Sequence, residues 1–150
     1  MKIRQLRETD IDEVAKIMSS TELWQRYGVD FESARKRFKR GLKEKAHILV
    51  AEIEGKIAGF LWYVPRGAFD RSGYIELIGV KHRGRGIGTA LMEFVEKEFN
   101  PDDIFLLVSD FNKEAQKFYE KLGFVKIGEI KDYVVKGITE FIYHKKRSER

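Results

Sequence analysis

The period of the hydrophobic positions changes several times along the chain, and each change marks an element. Lys2–Leu6 predicts a short strand. From Ile11 the spacing turns helical. Ile11, Val14, Ala15, Ile17 and Met18 fall on one face, and Thr9 or Asp10 is placed to cap the helix. Asp30 through Leu42 predicts a second helix, with Phe31, Ala34, Phe38 and Leu42 on its apolar stripe. Its other face carries Arg35, Lys36, Arg37, Lys39 and Arg40, read as a solvated surface or as a recognition face for an acidic substrate. Gly41 is expected to weaken the last turn. Trp24 and Tyr27 fall between the two helices.

The period then shortens. His47–Glu54 and Lys56–Val64 are β-rich runs around Glu54-Gly55, the pattern of a hairpin. Pro65-Arg66-Gly67 is expected to end the second run, and Gly73–Val80 supplies a third strand, giving an antiparallel meander. A glycine-rich turn leads into a helix from Gly86 to Phe99, whose buried stripe is Leu91, Met92, Phe94, Val95 and Phe99. Asn100-Pro101-Asp102-Asp103 stops it. Ile104–Ser109 is continuously apolar, as a buried strand should be. Asn112–Leu122 predicts a helix closed by Gly123. Phe124–Ile130 and Ile138–His144 are the last strands, and Lys145-Lys146-Arg147 is expected to fray. The order is β-α-α-β-β-β-α-β-α-β-β. It predicts an α/β (α+β) domain over residues 1–150, with a mixed sheet and helices on both faces.

Composition narrows the chemistry. The chain has 150 residues and no cysteine, which excludes a disulfide scaffold, a thiolate metal site and a cysteine nucleophile. His47, His82 and His144 lie far apart, so no metal site is expected. No apolar run has the length of a membrane span, and the charged start lacks the apolar core of a signal peptide. The expected setting is the cytoplasm, away from membranes. A net charge of +5 favours an anionic partner.

The turn itself is the informative stretch: Val80-Lys81-His82-Arg83-Gly84-Arg85-Gly86-Ile87-Gly88-Thr89. Glycines between a strand and a helix allow a tight bend and close approach of a ligand. The first N–H groups of the helix then point at that ligand with the positive end of the dipole, and Arg83 and Arg85 add charge. This predicts a diphosphate cradle. A P-loop is excluded because no Gly-Lys-Ser or Gly-Lys-Thr closes the turn. The dinucleotide fingerprint is excluded because Thr89 and Leu91 stand where its last glycine would be.

Arg83-Gly84-Arg85-Gly86-Ile87-Gly88 resembles the Arg/Gln-x-x-Gly-x-Gly/Ala signature of the GNAT superfamily of N-acetyltransferases. Asn112-Lys113-Glu114-Ala115-Gln116-Lys117-Phe118-Tyr119-Glu120-Lys121-Leu122-Gly123-Phe124 resembles the family's second motif, Asn-x-x-Ala-x-x-(Phe/Leu)-Tyr-x-x-x-Gly-Phe. The element order matches along essentially the whole chain. The resemblance implies acetyl-CoA as co-substrate, with its pyrophosphate on the amides of Arg83, Gly84, Arg85, Gly86, Ile87, Gly88 and Thr89. It implies that the pantetheine arm lies along Ile78, Gly79 and Val80. Asn112 is either a helix cap or a further cofactor contact. Tyr119 is implied as the acid that protonates the leaving thiolate; read from the residues alone, Phe118 and Tyr119 are either simply the helix's apolar stripe with Ala115 and Leu122, or Phe118 is core and Tyr119, the adjacent position, points elsewhere. Glu76, a charged residue inside an apolar strand, is the candidate base for the amine, directly or through water. The chain departs from the family between Val80 and Arg83, where Lys81 and His82 make a connection shorter than is common, so a tighter turn is expected.

The function implied is transfer of an acetyl group to a primary amine: a small amine, an amino acid, or a protein N-terminus or lysine. Two other classes stand beside it. One is a protein of the same fold that binds a CoA thioester as sensor or scaffold without turnover. The other is a nucleic-acid-binding module using the basic helix, for which the sequence offers no groove-reading motif. Trp24, Tyr27 and Trp62 either line the acceptor pocket or pack in the core. Strand edges near the C-terminus make a homodimer possible.

Overall fold

The computed structural model describes residues 1–148. In order these form β1 (Lys2–Gln5), a 3₁₀ turn (Glu8–Asp10), α1 (Ile11–Ser19), α2 (Glu22–Arg26), α3 (Phe31–Lys43), β2 (His47–Ile53), β3 (Lys56–Ala68), β4 (Ser72–Val80), α4 (Ile87–Phe99), β5 (Asp103–Ser109), α5 (Lys113–Lys121), β6 (Val125–Lys131) and β7 (Thr139–Lys146). The strands neighbour one another in the order β1-β2-β3-β4-β5-β7-β6. β4 and β5 run parallel, while β1–β2, β2–β3, β5–β7 and β6–β7 are antiparallel. No helix among the described residues is long and apolar enough to cross a membrane. Contacts within the chain cluster into two units. One is Met1–Val64 with Glu76–Glu98, and the other is Pro65–Ile75 with the chain from Phe99 onward.

In the first unit the predicted helical stripe of α1 is entirely buried: Ile11, Val14, Ala15, Ile17 and Met18. Each large side chain among them contributes about 1.5–3 kcal/mol by leaving water. Asp10 does not cap α1 through its side chain. Its carboxylate accepts from the Arg7 amide at 2.8 Å and takes both Nη atoms of Arg4, at 2.7 and 3.0 Å. The 3₁₀ turn brings Arg7 to it and so replaces the expected cap. α3 starts with a reciprocal cap, in which Ser33 N–H donates to Asp30 Oδ1 and Asp30 N–H donates to Ser33 Oγ. Gly41 does more than weaken the last turn of α3. A Cβ there would sit 2.5 Å from the ring of Trp62 and 2.8 Å from Ile48, so the missing side chain lets α3 seat on β2 and β3. Trp62 is thereby a core residue, packed with Phe38. Trp24 lies in α2, a short helix that the sequence pattern did not predict.

The β2–β3 hairpin has the expected turn. Glu54 and Gly55 both have positive φ, 52° and 78°, the geometry that matches the twist of the flanking strands. Pro65 does not end β3, which continues to Ala68. The register with β2 begins at His47↔Tyr63, so beyond Tyr63 a missing N–H removes no bond to β2. In the second unit β5 pairs with β4 through Tyr74↔Phe105 and with β7 through Phe105↔His144. α5 is tied to β7 by the Tyr143 hydroxyl, which donates to Glu120 Oε2 at 2.9 Å. The C-terminal basic residues are not frayed. Lys145 and Lys146 pair in β7, and Arg147 N–H donates to Asp102 O at 2.8 Å. The ladder with β5 supplies the backbone partners that hold them.

Candidate functional site

The turn after β4 carries the geometry that its glycines suggest. Gly84 and Gly86 have φ of 77° and 74°, and nothing lies within 4 Å of where either Cβ would be. Residues 81–86 are all exposed. The first helical bond of α4 runs from Ala90 N–H to Gly86 O at 3.0 Å, so the amides of Ile87, Gly88 and Thr89 precede it and have no partner inside the helix. The Ile87 side chain is buried, and a Cβ on Gly59 would meet it at 2.9 Å. What Ile87 offers a ligand is therefore its amide. The connection from Val80 is held at its start, where Lys81 N–H donates to Ala58 O at 2.8 Å. Such an exposed, glycine-rich turn at a helix start, flanked by Arg83 and Arg85, suits a phosphate group.

Ile78, Gly79 and Val80 are half-buried at the end of β4. Gly79 is fixed by packing, since a Cβ would lie 2.7 Å from the Phe60 ring. Glu76 keeps 34% of its side chain exposed and sits 3.6 Å from Arg37 of α3, a carboxylate–guanidinium pair. Arg37 also lies 6.0 Å above the Trp62 ring. The basic face of α3 is thus partly engaged: Arg37 holds Glu76, and Arg35 Nε lies 3.0 Å from Asp12. Glu76, Ile78 to Val80 and Arg83 to Thr89 all belong to the first unit.

Asn112 and Tyr119 belong to the second. Asn112 Oδ1 accepts from Ala115 N–H at 3.1 Å, the capping geometry. Tyr119 is 5% exposed and packs edge-on against Phe118 and Phe124, at 5.0 and 5.6 Å. The sequence reading sends Phe118 to the core and Tyr119 elsewhere; in the structure Tyr119 is the more deeply buried of the two. Burial pushes its phenol above the ordinary tyrosine range, which favours the protonated form. Glu140 of β7 was not singled out by the sequence, yet it is only 5% exposed. The signal was the same as for Glu76, a charge inside an apolar run. A polar cleft of about 770 Å³ lined by Arg71, Asp103, Lys146 and Arg147 contains none of the candidate residues.

Comparison with known proteins places these observations in a family context. A model described as the Acetyltransferase (GNAT) family matches residues 11–124. An N-alpha-acetyltransferase from Saccharolobus solfataricus is 29% identical over 93% of this chain and 89% of its own length. A 5-NmdU N-acetyltransferase from Pseudomonas phage PaMx11 is 31% identical, over 69% of this chain and 75% of its own. Among solved structures, an aminoglycoside 6'-N-acetyltransferase complexed with coenzyme A superposes with a TM-score of 0.80. It is 18% identical and covers 100% of this chain and 99% of that one.

Proposed function

Because this chain belongs to the GNAT family of acetyltransferases and is an acyltransferase, we propose that it takes the acetyl group from acetyl-CoA and delivers it directly to a primary amine. The observation that carries the reading is the exposed turn after β4: positive-φ glycines with open space where a Cβ would be, then the first α4 amides, which have no partner inside the helix. The coenzyme A held by the aminoglycoside acetyltransferase of the same fold supports this choice of donor. Relatives named as N-alpha-acetyltransferases make the α-amine of a polypeptide the first acceptor to test. Residues 1–150 are taken as one acetyltransferase domain acting in the cytoplasm.

Acetyl-CoA supplies the thioester, whose C–S bond breaks as the C–N bond forms. The amides of Gly84 to Thr89 hold the pyrophosphate, with Arg83 and Arg85 beside it, and Asn112 starts the helix that carries Tyr119. Ile78 and Val80 offer backbone groups to the pantetheine arm, and one such N–H stabilises charge developing on the carbonyl oxygen. Glu76, directly or through water, takes the proton that the amine loses. Tyr119 gives its proton to the departing sulfur and regains one from solvent; burial keeps the phenol protonated before the step and makes it a weaker acid in it.

Calorimetry with acetyl-CoA, using dephospho-CoA and ATP as controls, tests the donor. Release of free thiol with a panel of peptide amides, polyamines and amino acids tests the acceptor. Selective binding with thiol release on one acceptor class is expected. Tight binding without turnover on any amine would instead make the protein a CoA-thioester sensor, and no binding would remove the cradle from the account.

A further inference from the structure

We propose that β6 is a dimer edge: a second copy of this chain adds its own β6 antiparallel to it, about a two-fold axis at the level of the Ile127–Gly128 bond. The inference stands apart from the proposed chemistry and uses the second unit alone. β6 is the last strand in the sheet order, and among the described residues it pairs with β7 only. The backbone groups on its outer side therefore have no strand beside them, and such an edge is a template for another strand. The edge is also apolar where solvent reaches it. Val125 is 62% exposed and Ile127 56%. Tyr133 and Val134, each 60% exposed, continue it past Lys131 and would lie toward the start of the second copy's β6.

Register decides what a second copy meets. Lys126 and Gly128 stand opposite Tyr143 and Ile142, which are consecutive in β7, so Ile127 is the extra residue of a β-bulge. Val125 pairs with His144 and Ile130 with Glu140, which puts Val125 and Ile130 on one face of the sheet. Lys126 and Glu129 pair with Tyr143 and Phe141 and share the other face. A two-fold axis perpendicular to the sheet keeps each face on its own side, so only residues of one face can oppose each other. In a regular strand Val125 and Ile130, or Lys126 and Glu129, would fall on opposite faces. The bulge brings each pair onto a common face. It thereby permits the register in which Val125 meets Ile130 of the second copy and Lys126 meets its Glu129, each contact made twice by symmetry. The Lys126 ammonium already lies 3.5 Å over the ring of Phe141, the residue that pairs with Glu129, and so stays on that face. A slip of one residue opposes Val125 to Lys131 or to Glu129, and a slip of two toward the C-terminus opposes Lys126 to Lys131. The self-complementary register is the one that matches apolar with apolar and cation with anion.

Sedimentation equilibrium of the full chain over a range of concentrations, at low and high salt, tests the edge. The wild type is expected to show a monomer–dimer equilibrium. Lys126→Glu and Glu129→Lys each place like charges opposite one another at two symmetric positions, and each is expected to weaken the dimer by about 10- to 100-fold at low salt. The double variant Lys126→Glu with Glu129→Lys restores unlike pairs and is expected to recover the dimer to within several-fold of the wild type. High salt is expected to shrink the loss in the single variants. All three substitutions lie on exposed side chains, so unchanged melting temperatures are expected; if a reversal does not fold, Lys126→Gln and Glu129→Gln, each with a several-fold loss expected, decide in its place. A wild type that stays monomeric to its solubility limit overturns the inference and makes the bulge a guard against edge pairing. A dimer that is indifferent to the single reversals, or that the double variant does not restore, overturns it as well, by placing the contact elsewhere.

Discussion

At the residue scale, Tyr119 and Gly86 carry the sharpest expectations. Tyr119 lies buried between Phe118 and Phe124, so Tyr119→Phe deletes one oxygen and leaves the ring packing in place. It is expected to lower kcat by about 100-fold or more while acetyl-CoA affinity stays normal. Because burial raises its pKa, Tyr119 is not expected to produce an alkaline limb in the pH profile of kcat; an unchanged kcat in the variant would retire it as the acid. Gly86 has φ of 74° and open space above it. Gly86→Asp brings strain and a negative charge into the amide run, and calorimetry is expected to show loss of acetyl-CoA binding. Normal affinity there would move the pyrophosphate elsewhere. Glu76 shows how far residue type alone reaches. A charge inside an apolar strand was visible in the sequence, but its pairing with Arg37, 39 residues away, was not, because no local spacing encodes it.

At the element scale, the period-3.6 stripes of α1 and α3 and the turn chemistry of Glu54-Gly55 were legible because they are local properties of the chain. What eluded local reading was close packing between elements. Gly41 reads as a weak point in a helix, yet it is the contact by which α3 meets Trp62. Gly41→Ala improves helix propensity by about 1 kcal/mol but forces Trp62 or Ile48 to move. A net destabilisation of about 1–3 kcal/mol in urea unfolding is expected, and a more stable variant would show that the ring yields freely. Asn112→Ala removes the cap of α5 and is expected to cost about 1 kcal/mol.

At the scale of the whole molecule, acid stability is set by carboxylates held below their ordinary pKa. For Asp10, burial acts to raise it, but the hydrogen bonds from Arg4 and the Arg7 amide and the Arg4 charge outweigh burial. For Asp103, burial is likewise outweighed by hydrogen bonds from Ser72 and His144. A depressed carboxylate contributes stability above its unfolded pKa of about 4, and that contribution is lost as pH falls through the lower, folded value. The melting temperature is therefore expected to be level in this contribution from pH 7 to pH 5 and to fall below about pH 4. Asp10→Asn, which leaves Arg4 without its bidentate partner, is expected to melt lower at pH 7 and to lose less on acidification. Identical acid sensitivity in variant and wild type would exclude Asp10 as a cause.

The order of the strands and of the longer helices, the positions of most of them, the glycine turn and the two motifs that point to the family were determined by the sequence itself; the short α2 was not. Each depends on residues close together in the chain: apolar periodicity, positive-φ turns, caps and a strand–turn–helix junction. Tertiary structure alone decided which charges meet, as with Arg4 and Asp10 or Arg37 and Glu76, and which side chains lose their water. It buried Tyr119 more deeply than Phe118, carried β3 past Pro65 and held Lys145 to Arg147 against β5. It also brought Glu140 beside Ser109. These outcomes turn on strand register and on distant partners, and the free energy of burial belongs to the assembled neighbours rather than to any local stretch of chain.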